Sequence, residues 1–313
     1  MNDLSFKRDM FKNISKKSHK IDQIKRPAIK YWTDVWHRLK RNKLAMVGLI
    51  ILIIMGIMSV LGTQISGYSY YEQDLTKINQ ALSRDYWFGT DELGRDLFSR
   101  VWLGTRYSLT IGIFAALIDF LVGVIYGGIA GMASRKVDAV MMHMAEIIYS
   151  IPYMLVVILF SVIFSAPRSG TSMFILILAM TITGWVPMSN LVRGQVLQLK
   201  ESEYSLAAES LGASKGWILK KHIIPNGLGP ILINVTITIP KAIFSEATLS
   251  FMGLGLQPPS PSLGTLANDG LAGMAVGLYH QIAVPAIFIS LLMFSFNVLG
   301  DGLRDALDPK LRK

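Results

Sequence analysis

Residues 203–226 read EYSLAAESLGASKGWILKKHIIPN. The segment is charged, rich in small residues and set between two apolar runs, so it decides how the chain is organised. Residues 199–211 carry Glu, Leu, Ala and Ser without proline, a helix-compatible composition. Gly212 then suits a left-handed C-terminal cap. A second short helix is expected over 214–224, ending at Pro225. The segment is thus helix–glycine–helix. Ala207, Ala208 and Leu211 fall near one face of the first helix, where small residues let another backbone approach closely. That face is shaped for a groove in a partner. A plain connector between spans is the alternative, although connectors are usually much shorter.

The chain around this segment is apolar. Of 313 residues, 51% are hydrophobic and 17% charged, and mean hydropathy is +0.43. A soluble domain carries more charge on its skin. Several runs reach the roughly 20 residues needed to cross a bilayer core. They do not alternate, so a β-barrel is excluded and the fold class is an all-α polytopic membrane protein. There is no cysteine, and with it no disulfide, thiolate nucleophile or cysteine metal site.

Six spans are expected: 44–62, 107–132, 139–164, 172–192, 227–256 and 279–300. Orientation follows from Lys and Arg in the loops. Residues 1–43 hold 13 of them, 193–226 hold five and the tail 303–313 holds four, whereas 257–278 hold none. Alternate loops carry 24 against 5. The basic side is the cytoplasmic one, both termini lie on it, and so does the segment 203–226. The net charge of +10 is thereby explained by topology and does not point to nucleic acid. The long leader and wholly apolar first run mark a retained anchor, not a cleaved signal peptide.

Within the leader, Trp32, Val35, Trp36 and Leu39 repeat at helical spacing among Lys and Arg. This is an amphipathic helix for the inner membrane surface and its lipid, or a flank that only orients the first span. In the outer segment, YWFGTDELGRDLFSR, Thr90 is placed to cap a helix with Asp91 and Glu92 in its first turn. Four charged residues fall inside spans and are candidates for a pathway or gate: Asp119, Glu146, Lys241 and Glu246. The alternative for each is an ion pair that only holds the bundle together. The stretch QPPSPSLGTLANDG is expected as a proline-stiffened outer loop.

The segment 203–226 resembles the EAA-type loop of permease subunits in binding-protein-dependent ABC importers. Ala207, Ala208, Gly212 and Pro225 stand at the matching places; Leu206 stands where that family often has glutamate, and His222 and Ile224 replace its Ile and Leu. HRLKRNKLAMVGL (37–49), FGTDELGRDLFSR (88–100), EATLSFMGLGLQPPSPSLG (246–264) and NVLGDGLRDALDPKLR (297–312) resemble the C-type permeases of oligopeptide, dipeptide and nickel importers. Leu263 replaces a common tryptophan there, and Lys241 replaces a small or apolar residue.

The resemblance implies the type I importer permease fold. It divides the chain into a basic region 1–43, a first helix with an extracytoplasmic segment (44–106), a five-helix type-1 domain (107–302) with the coupling loop 199–225, and a tail 303–313. It implies a bacterial inner-membrane location and four kinds of contact: a second homologous permease, two cytoplasmic ATPase subunits, an external substrate-binding protein and lipid. Tyr204, Leu206, Ala207, Ala208, Leu211, Gly212, Ala213 and Pro225 would meet the ATPase. ATP and magnesium would be bound there, with no cofactor in this chain. No Gly-Lys dipeptide or HExxH occurs, so a phosphate-cradling loop and the zinc-hydrolase motif are missing. Peptide is the expected cargo, and nickel or another metal chelate the next. An ion-gradient-driven secondary transporter is the alternative of a different class; it calls for inverted repeats and a matching broken helix in the other half.

Overall fold

Runs this apolar must satisfy every backbone polar group within the segment, and helices do so. In the computed structural model, which describes residues 31–164 and 172–307, the described residues form helices joined by loops, with one isolated bridge, Thr90 to Asp96. The leader up to residue 30, the loop 165–171 and the basic end of the tail (308–313) lie outside the described residues. The helices are α1 (Tyr31–Arg41), α2 (Lys43–Ile65), α3 (Leu97–Met132), α4 (Arg135–Ser150), α5 (Tyr153–Phe164), α6 (Met173–Leu199), α7 (Glu203–Ser210), α8 (Lys215–Ile218), α9 (Ile224–Phe251), α10 (Leu263–Met274) and α11 (His280–Leu307). Five helical stretches are long and apolar enough to cross a membrane, and α4 with α5 supplies a sixth as one broken span.

The centre of the bundle is the pair α3 and α6. Gly123, Gly127 and Gly131 repeat every four residues on one face of α3. A Cβ on Gly127 would lie 2.2 Å from the Ser189 carbonyl oxygen; on Gly123 or Gly131 it would strike Met188 or Val196 at 2.6–2.7 Å. Only glycine lets the two backbones come this close, the small-residue packing that replaces the hydrophobic effect between helices in lipid. Helix α2 uses the same device on α11: a Cβ on Gly48 would sit 2.8 Å from the Ser295 carbonyl oxygen. Its other face, with Val47, Ile50 and Ile54, is exposed. Helix α1 forms as its amphipathic spacing predicts. Val35 and Leu39 are buried against Ala45, Ala306 and Leu307, so the stripe partly packs on the end of α11, while Trp32 and Trp36 stay exposed.

Several expectations are corrected. The helix near Thr90 is absent. Thr90 sits in a loop, donating to the Lys77 carbonyl and accepting from the Gln80 amide. The cap belongs to Asp96, which accepts from the Phe98 and Ser99 amides and starts α3 ten residues before the expected 107. Asp91 instead joins Arg95, Arg100 and Asp269 in a largely buried ion-pair cluster between this loop and α10. The third span bends by 74° between α4 and α5, where Pro152 cannot continue the ladder. The expected outer loop 257–278 contains α10, begun by a capping box between Ser262 and Thr265. Leu263, at the place of the usual tryptophan, is fully buried beside Leu97, Ile243 and Leu292.

The glycine ridge gives a direct test. Gly127→Leu should destabilise the detergent-solubilised protein by on the order of 1–3 kcal/mol, the usual cost of overpacking. Gly56→Leu on α2, where an added Cβ meets nothing within 4 Å, should be neutral. Equal thermal unfolding of the two variants would contradict close packing of α3 on α6.

Candidate functional site

The segment 203–226 builds an elbow at the end of α6. The Ser202 and Ser205 hydroxyls donate to the Leu199 carbonyl at 2.6 and 2.9 Å, so the last turn of α6 is tied to the first turn of α7. Helix α7 ends in a complete Schellman cap: the Gly212 amide bonds the Glu209 carbonyl and the Ala213 amide bonds the Ala208 carbonyl. Gly212 has φ +85°, the left-handed region that glycine enters at least cost. The Ser214 hydroxyl then caps α8 by accepting from the Trp217 amide.

The expected end at Pro225 is a further correction. Residues Leu219–Ile223 form a π turn in which the Ile224 amide bonds the Leu219 carbonyl, five residues back. The wider turn lets the chain pass Pro225 in the first turn of α9 without stopping. Helix α8, the π turn and α9 therefore make one rod, Lys215–Phe251, 37 residues long. Likewise the helix expected over 199–211 is two: α6 ends at Leu199 and α7 starts at Glu203.

The elbow has an inner and an outer face. Ile218 and Ile223 are buried against Met188, Val192 and Val196, with Ala208 and Ala213 packed on the same cluster. Tyr204, Leu206, Ala207, Leu211 and Trp217 are exposed, Leu211 to 88%. Tyr204, Ala207 and Leu211 are spaced i, i+3, i+7 and share one face of α7. Pro225 is exposed on the rod beyond. A Cβ on Gly212 or Gly216 would meet nothing within 4 Å. The outer face is thus apolar, small at its bend and unoccupied by the chain itself.

The second feature is a cavity of about 480 Å³ between α3, the bend joining α4 and α5, α6 and α9. Asp119, Tyr153, Gly184, Asn234, Thr238 and Lys241 are among its lining residues. Two of the four intramembrane candidates, Asp119 and Lys241, are therefore brought together. The other two are elsewhere. Glu146 is on the exposed side of α4, with a carboxylate oxygen 3.8 Å from His143 Nδ1. Glu246 is fully buried and accepts from the Ser108 and Ser250 hydroxyls, each at 2.7 Å. Ser108 also accepts, at 3.4 Å, from the amide of Leu263, so Glu246 holds α3, α9 and the start of α10 together. The polar stripe Asn234, Thr238, Lys241 and Ser245 went unread in the sequence, though its spacing of four, three and four marks one helical face. Gly184 gave no such signal; its role depends on Asp119 opposite it. Among the described residues no cluster of three His, Asp or Glu could hold a metal ion.

Residues 123–313 match the family model described as binding-protein-dependent transport system inner membrane component. Residues 30–81 match the model described as the N-terminal TM domain of oligopeptide transport permease C. The dipeptide transport system permease protein DppC of Bacillus subtilis (strain 168) is 52% identical over 297 residues, 95% of this chain and 91% of that protein. The oligopeptide transport system permease protein OppC of the same strain is 46% identical over 306 residues, 98% of each. A chain solved among inward-facing conformations of the MetNI methionine ABC transporter aligns with a TM-score of 0.53 at 19% identity, covering 66% of this chain and 97% of that one, so the fold is shared.

The placement of Glu246 yields a test. Glu246→Ala leaves two buried hydroxyls without an acceptor, at roughly 1–3 kcal/mol for each unsatisfied group. Its melting temperature in detergent should fall by several degrees, and Glu246→Gln should recover most of the loss. An unchanged melting temperature for Glu246→Ala would show that this carboxylate does not hold the three helices.

Proposed function

This chain belongs to the family of binding-protein-dependent transport system inner membrane components, and from that membership we propose that it is one of two permease subunits of an ATP-driven peptide importer in a bacterial cytoplasmic membrane. The relatives named for dipeptide and oligopeptide transport support peptide as the cargo. The basic ends and the elbow face the cytoplasm, as the distribution of Lys and Arg argues. A second homologous permease completes the pathway, an external binding protein delivers the peptide, and two ATPase subunits bind ATP and magnesium.

The observation that carries this reading is the elbow's outer face. A well-capped turn that exposes Leu211 and Trp217 to solvent is costly unless something covers them. An apolar, small-bend knob of this kind fits a cleft on an ATPase subunit, the helix-in-groove mode. Tyr204, Leu206, Ala207, Leu211 and Gly212 make that contact, while Ala208, Ala213 and Pro225 shape the turn and its exit. The mechanism follows from the rod. Its α8 end is at the elbow, and its α9 portion lines the cavity. Closure of the ATPase pair on ATP displaces the elbow, the rod tilts, and the cavity opens alternately to the two sides. ATP favours one state only by its differential affinity for that state.

Gly212→Val tests the coupling. A β-branched residue at φ +85° is strained by roughly 1–3 kcal/mol, yet its side chain would strike nothing in the fold. Membrane insertion should be intact, copurification of the ATPase subunits weakened and peptide uptake abolished. Normal uptake by this variant would contradict coupling through the elbow.

A further inference from the structure

Of the described residues lining the 480 Å³ cavity, only Asp119 and Lys241 are charged. They come from different helices, α3 and α9, and no ion pair joins them. Asp119 is 6% exposed, and its Oδ1 has no hydrogen-bond partner among the described residues. A buried carboxylate without a partner is strongly unfavourable unless it is protonated or a cation reaches it. The fold nevertheless makes room for it: a Cβ on Gly184 would sit 2.5 Å from Asp119 Oδ2, so glycine on α6 is what admits the carboxylate to the cavity wall. Lys241, by contrast, is exposed, in a helix whose neighbouring residues are apolar.

We infer that this cavity holds a short peptide by its two ends. The Asp119 carboxylate accepts from the peptide's α-ammonium group, and the Lys241 ammonium donates to its α-carboxylate. This rests on the reading of the chain as an importer permease. The volume lies within the roughly 300–1,000 Å³ of small-molecule sites. The lining also offers Thr183, Asn234, Thr238 and Ser245, groups that pair with peptide amides. Among the described residues of this chain, the lining carries no further charge to select or reject a cargo side chain. The ligand class is therefore the unblocked, zwitterionic peptide, with little dependence on its sequence.

The test uses the complete complex of permeases, ATPase subunits and binding protein in proteoliposomes, with tri-alanine as cargo. Uptake per ATP hydrolysed is compared for wild type, Asp119→Asn, Lys241→Gln and the double variant, each checked for assembly. Each single substitution should lower uptake per ATP about tenfold, as loss of one charge-assisted hydrogen bond implies. The double variant should be no better than the worse single one. Recovery in the double variant would overturn the inference, because it would mean that the two charges only neutralise each other. Unimpaired single variants would overturn it and leave the importer reading standing. Absence of ATP-dependent uptake by the wild type would overturn the importer reading, and the inference with it. Lys241→Gln, at an exposed side chain, carries the comparison alone if Asp119→Asn does not assemble.

Discussion

Three glycines set the distance between α3 and α6, and the rest of the bundle is arranged around that contact. With Gly127 facing the Ser189 carbonyl directly, the two helices are locked along their C-terminal halves. The far end of α6 carries the elbow through the hydroxyls of Ser202 and Ser205. Arg193 on α6 adds a two-pronged ion pair to Asp138 at the start of α4, so the same stretch of α6 also anchors the broken span. The elbow's first arm is therefore rigid. Its second arm is the rod Lys215–Phe251, kept continuous by the π turn ahead of Pro225. A bend between two stiff arms can pass a displacement on; a bend in a loose loop would absorb it.

Charge inside the bundle follows two patterns, and their contrast sets the cavity apart. Glu246 is buried but accepts from two hydroxyls. Asp91, Arg95, Arg100 and Asp269 are paired with one another. These groups hold elements together, and their carboxylates find partners in the chain itself. Asp119 is as well buried as they are and has an oxygen with no partner. Lys241 projects from an apolar helix toward the same space. The Glu246, Asp91 and Asp269 carboxylates have partners within the chain, whereas Asp119 keeps an oxygen with none, and the assignment to a peptide end rests on that difference.

Much of this was legible in the chain. Apolar runs located the spans, because the bilayer imposes their length. Gly212 could be placed as a left-handed cap, since few other residues tolerate that geometry. Pro225 misled, because a proline stops a helix only if the turn before it keeps the ordinary register; the π turn depends on Ile218 and Ile223 packing against α6, a tertiary contact. Helix α10 was hidden among prolines and glycines: its burial comes from α11, α9 and α3, and a Cβ on Gly264 would lie 2.3 Å from the Ala247 carbonyl oxygen of α9. Glu246 and Asp119 look alike in sequence, each a lone acid in an apolar run. Only the neighbours brought by other helices, Ser108 for one and Gly184 for the other, separate their roles.

The absence of cysteine from this chain makes the central claim directly measurable. Leu211→Cys places a single thiol in this chain at the most exposed large apolar residue of the elbow. Labelling with a soluble maleimide is compared for the permease pair alone and for the assembled complex with its ATPase subunits. The elbow account requires rapid labelling in the permease pair and strong protection in the complex, with a cross-link to an ATPase subunit when a bifunctional reagent is used. Equal labelling in both, with no cross-link, would contradict it.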